Sequence, residues 1–180
     1  MRPDILNRSA IAAVLLFLAL ILGGCSVSKT LPATTATPEA ISSWSASDCR
    51  KARKTIVHTA RGRVGCPYRS AGKGPAAFDC SGLTAYAYKA AGISLKPASS
   101  QQFAQGKKVG KKALKPGDLV FFGGSRDTKT VSHVGIVVSC NRGNGSFTFI
   151  HAANSGVELQ KSSSQYYQKR YLGARRILPR

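Results

Sequence analysis

The sequence predicts a single α+β domain, with helices in its first half and an antiparallel sheet in its second. Three observations predict it. The 180 residues hold one ordinary core and not two. Apolar residues recur at helical spacing between Asp48 and Gly92. Beyond Pro116-Gly117 they give way to short β-branched and aromatic runs separated by Gly, Asn and Ser.

The chain begins with a basic flank, Arg2 and Arg8, and the apolar run Ile11 to Leu22, followed by Gly23-Gly24-Cys25. That run is shorter than the roughly 20 residues a membrane-crossing helix needs, so residues 1–24 read as an export signal. An uncleaved anchor is the alternative. Losing Arg2, Arg8 and Asp4 moves the formal charge from +20 to +19. So cationic a chain is drawn to polyanions in general, but basic and aromatic residues do not interleave as in a nucleic-acid reader, and no nucleic-acid partner is expected. From residue 25 to 47 the composition is mainly Ser, Thr, Ala and Pro, which cannot bury a core and predicts a tether.

Asp48 is an N-cap candidate for a first helix carrying Ala52, Ile56, Val57 and Ala60 on one face and stopping near Gly62 or Gly65. A Gly-rich loop leads into a second helix, CSGLTAYAYKAAG, whose Leu83 and Ala87 share a face and whose first residue is Cys80. A short helix is expected around Ser99 to Phe103. The lysine-rich run Lys107 to Lys115 reads as a solvated loop, with a docking patch as the alternative. Strands follow at LVFF, HVGIVVS, SFTFIHA, GVELQ and YLGARRIL, with a hairpin turn at Asn144-Gly145.

Cys80 is the candidate nucleophile, because backbone N–H groups and the positive end of a helix favour a thiolate there. The chain has three histidines. His133 opens one strand and His151 closes the next, so antiparallel pairing brings both to one end of the sheet. There His133 would take the thiol proton and His151 would hold its ring in the right tautomer. His58 is assigned to the surface or core edge of the first helix. No closely spaced His/Cys ligand set occurs, so neither metal nor cofactor is expected. Cys49, Cys66 and Cys140 allow one disulfide at most, of unassigned pairing.

The ordered segments PYRSAG, FDCSGL, LKPGDLVFF, SHVGIVV, FIHAANSGV and GARRIL resemble the NlpC/p-sixty family of cell-wall cysteine peptidases, from about Ile56 to the C-terminus. The resemblance implies a papain-like fold over residues 48–180 and hydrolysis of an amide bond in the stem peptides or cross-links of peptidoglycan. By the same resemblance Cys80, His133 and His151 are catalytic, and Tyr68, Asp79 and Ser81 meet substrate or shape the site. Departures at Ser70-Ala71-Gly72 and Leu95-Lys96-Pro97-Ala98 fall in segments that line the cleft in relatives. Leu22-Gly23-Gly24-Cys25 resembles a lipobox, which implies a lipidated Cys25. Ser26 after it implies outer-membrane placement facing the periplasm if the cell has an outer membrane. A monomer is expected. The alternative function is a non-catalytic peptidoglycan-binding lipoprotein using the same cleft.

Overall fold

The computed structural model describes residues 38–179; the signal segment, Cys25 and most of the expected tether lie outside them. Helix α1 (Pro38–Ser42) comes first, then α2 (Ala46–Arg61), α3 (Cys80–Lys89) and α4 (Ser99–Phe103). All six strands follow α4, with one short α-helix among them: β1 (Lys107–Val109), β2 (Leu119–Gly123), β3 (Val131–Cys140), β4 (Phe147–Ala153), β5 (Gly156–Lys161), then α5 (Gln165–Gln168) and β6 (Tyr171–Arg176). The strands form one antiparallel sheet in the order β1-β6-β2-β3-β4-β5. This is the expected α+β architecture.

The N-cap of α2 is Ser45, three residues before the expected Asp48. The two residues cap each other: Ser45 Oγ accepts from the Asp48 amide at 3.2 Å, and Asp48 Oδ2 accepts from the Ser45 amide at 3.2 Å. Asp48 thus acts from inside the first turn. Cys49, Ala52, Ile56 and Ala60 form the buried face, at the helical spacing the sequence shows. The packed part of the chain also begins before residue 48. Ile41 in α1 is 3% exposed and Trp44 packs against the same core, since two large apolar side chains amid small polar ones suffice to fold that segment down.

Both sheet faces are covered. Leu119, Phe121, Val134, Ile136 and Ile150 join Ile56, Leu83 and Tyr88 of the helices in the main core. The alternate residues Val120, Phe122, Val137 and Phe149 build a second core with Leu114 and Ala174 on the opposite face. This explains why β2 is buried at every position. The Tyr88 hydroxyl donates to the Gly117 carbonyl and so ties α3 to the turn that launches β2.

The lysine-rich run is not a plain loop. Lys107–Val109 pairs with β6 as an edge strand and Lys111–Ala113 forms a 3-10 turn. Charged residues on an edge strand keep it from pairing with other chains, which reconciles the composition with the structure. Asn144-Gly145 does lie in the β3–β4 connection, with Gly145 at φ +73°, but the turn is wider than two residues and is closed by the Asn141 amide donating to Ser146 O at 2.8 Å.

Candidate active site

Cys80 is the first residue of α3, held there by the cap beneath it. Asp79 Oδ1 accepts from the Gly82 amide at 2.6 Å, and its other oxygen meets Lys73 Nζ at 3.0 Å. The helix start then rests on the Gly-rich loop: the Asp79 amide donates to Gly72 O at 2.8 Å. A Cβ at Gly82 would lie 2.0 Å from that same carbonyl oxygen. The glycine two residues after the cysteine is therefore required by the close approach of loop and helix.

His133 and His151 come together as the strand order demands. His133 Nε2 lies 3.0 Å from His151 Nδ1, with the rings nearly perpendicular. Gly135 makes the space, since a Cβ there would fall 2.6 Å from the Phe149 ring and 3.3 Å from His151 Cβ. Phe149 and Tyr167 flank the His151 ring, which is fully buried.

Cys80, His133 and Tyr68 line one open cleft of about 470 Å³, together with Ser132, Tyr166 and Tyr167. Cys80 Sγ sits 4.0 Å from the carbonyl oxygen of Ser132, the residue before His133. His133 meets His151 through Nε2 and is itself part of the cleft lining. A second cavity of about 390 Å³, around Lys111, Phe147 and Tyr171, shares Phe122 and Tyr167 with this cleft but has no cysteine in its lining.

Burial decides the charge states. It pushes the Cys80 thiol above its ordinary 9.0, and neighbouring Asp79 pushes the same way. The backbone N–H groups of Val134, Ser81 and Cys80 pull it down but do not prevail. Burial lowers His133 to about 3, helped by repulsion from His151, and lowers His151 to about 4. Against the thiolate expected at the helix start, desolvation by packing outweighs the helix end and favours the neutral thiol, as it favours the neutral imidazole of His133.

Asp79 and Ser81 do not line the cleft. Ser81 is buried, its hydroxyl 2.7 Å from Pro97 O and 2.9 Å from Asp79 Oδ1, so both residues secure the helix start. Neither Ser70-Ala71-Gly72 nor Leu95 to Ala98 lines the cleft either; the latter faces Ser81 through the Pro97 carbonyl. His58 is exposed on α2, as expected. Among the described residues Cys49, Cys66, Cys80 and Cys140 are all free thiols.

Two residues at the site escaped the sequence reading. Tyr167 Oη lies 3.5 Å and Glu158 Oε1 3.6 Å from His151 Nε2. Glu158 was legible in principle, because the tight Asn154-Ser155 turn sets it directly across from His151 on β5. Tyr167, on the short helix α5, has no such signal.

The NlpC/P60 family model matches residues 65–176. A probable endopeptidase of Corynebacterium glutamicum is 41% identical over 63% of this chain and 49% of its own length. The murein DD-endopeptidase MepH of Escherichia coli is 36% identical over 72% of this chain and 47% of its own. The chain spans about half the length of these curated relatives. Among solved structures, an NlpC/P60 family protein from Bacillus cereus superposes with a TM-score of 0.63 and 34% identity over 71% of this chain and 40% of that one.

Proposed function

Because the chain belongs to the NlpC/P60 family, we propose that it hydrolyses an amide bond in the stem peptides or cross-links of peptidoglycan. Cys80 is the nucleophile, His133 its base and His151 the ring that orients the base. The observation that carries this reading is the hydrogen-bonded imidazole pair, whose outer member opens onto the cleft that holds a helix-starting thiol. The relatives' names, endopeptidase and murein DD-endopeptidase, agree with it.

Starting from neutral partners, the His133 Nδ1 lone pair takes the Sγ proton as sulfur attacks the carbonyl carbon. The carbonyl oxygen becomes an oxyanion, which the backbone N–H groups at the start of α3 receive, with the exposed Tyr68 hydroxyl at the cleft wall as a further donor. The imidazolium returns its proton to the departing amine and a thioester remains. Water, deprotonated by the same ring, then releases the carboxylate product and restores the thiol. Asp79 and Ser81 act by holding Cys80 in place.

The same reading includes the segments outside the described residues. A signal peptide of residues 1–24, a lipidated Cys25 and a tether ahead of the peptidase unit would hold the enzyme on a membrane, at the outer membrane facing the periplasm in a Gram-negative cell. Labelling with a radioactive fatty acid, lost in Cys25→Ala, tests the anchor.

Digestion of purified peptidoglycan followed by mass analysis of the fragments tests the chemistry. Wild type should release peptide fragments and Cys80→Ala none. Equal products from both would refute the thiol mechanism.

A further inference from the structure

We propose that Glu158 is a positioning residue, which fixes the tautomer of His151 and through it keeps the His133 Nδ1 lone pair available to Cys80. This rests on His133 being the base.

His133 can accept a proton at Nδ1 only if its own proton sits on Nε2. That N–H then donates to His151 Nδ1, 3.0 Å away, so His151 must carry its proton on Nε2. In the opposite arrangement His151 Nδ1–H would donate to His133 Nε2, and the His133 proton would sit on Nδ1 and block the base. The two arrangements differ at the far side of the pair, in what His151 Nε2 meets.

It meets a carboxylate. His151 and Glu158 are direct partners in the β4–β5 register, which puts both side chains on one face of the sheet. The Ser155 hydroxyl donates to Glu158 Oε2 at 2.9 Å, and this turns Oε1 toward His151 Nε2, 3.6 Å away. An ionised carboxylate only accepts. It therefore favours Nε2–H and opposes a lone pair at that position. Tyr167 Oη, 3.5 Å from the same nitrogen, can donate or accept and so does not choose between the arrangements. Glu158 does not touch the cleft, and its influence on the thiol passes through two rings.

The test is the imidazole ¹⁵N spectrum of the purified protein, which reports the protonated nitrogen of each ring, read beside kcat and KM on peptidoglycan fragments. In wild type His151 should carry its proton on Nε2. Glu158→Gln, whose amide can either donate or accept, should lose the preference while keeping the side chain's size. Glu158→Ala should yield a mixture of tautomers and lower kcat about fivefold with KM unchanged, a part of the 10²- to 10⁴-fold that a positioned base supplies. Ser155→Ala frees the carboxylate and should move the tautomer ratio the same way by less, and it serves should Glu158→Ala fail to fold. A wild-type His151 protonated on Nδ1, or a tautomer ratio unmoved in Glu158→Ala and Ser155→Ala, would overturn the proposal. If the ratio moves but wild type cleaves no peptidoglycan fragment, the positioning role stands and the hydrolase reading fails.

Discussion

Acidification should unfold this domain through its two buried imidazoles. His151 binds a proton near pH 6.5 when exposed but only near pH 4 in the fold. Between those values the unfolded chain holds more protons than the native one, so stability is full above pH 6.5 and falls as pH drops toward 4. One ring shifted this far costs about 2 kcal/mol between pH 7 and pH 5. His133, lowered to about 3, acts with the same sign. Against the ~5–15 kcal/mol of a typical domain this is a large share. With both rings contributing about 4 kcal/mol, urea unfolding followed by circular dichroism at the two pH values should show the midpoint falling by about 2 M at unchanged slope, for a slope of about 2 kcal/mol/M. In His151→Gln the fall should shrink. A wild-type midpoint independent of pH, or an equal fall in His151→Gln, would refute the reasoning.

The Cys80 thiol lies above its ordinary value through burial, so alkylation by iodoacetamide should quicken about tenfold per pH unit between 6 and 8; a flat rate there would mean a preformed thiolate–imidazolium pair. Gly82→Ala should cost about 3 kcal/mol and abolish activity, because its Cβ would meet the Gly72 carbonyl at 2.0 Å; a thermal melt and a fragment assay check it. Asp118→Ala should cost about 3–5 kcal/mol by urea titration, since it strips the partly buried Arg176 of bonds at 2.7 and 2.9 Å to a carboxylate that is 1% exposed.

Local periodicity and the site motifs were legible because they depend on near neighbours. The stripe Ala52, Ile56, Ala60 faces the core as spaced, and the two histidines meet because consecutive antiparallel strands carry them. Facts that join distant positions were not. Asp118 directly follows the Pro116-Gly117 turn and carried no assignment, yet it is a buried carboxylate serving Arg176, 58 residues away. Ser81 reads as a substrate contact beside the nucleophile, yet the Pro97 carbonyl claims it from 16 residues on. Lys107 and Lys108 have solvent-loop composition but find strand partners in Arg176 and Arg175. The charge state of Cys80 belongs to the same class, because its desolvation comes from tertiary packing.

That desolvation sets how the site is poised. Burial acts on thiol and imidazole in opposite numerical directions but to one effect, since it pushes each toward its neutral form. A preformed ion pair would be stabilised in the ground state and would have to be given up during attack. On the proposed mechanism a neutral pair would transfer its proton only as sulfur closes on a carbonyl carbon, when the new negative charge reaches the oxygen and the N–H groups at the start of α3 can receive it. Interactions gained only at that moment lower the barrier without tightening the resting complex. On that mechanism the buried His151 would matter most when His133 becomes positive, because its Nδ1 is the acceptor already placed 3.0 Å from the ring that would carry the charge.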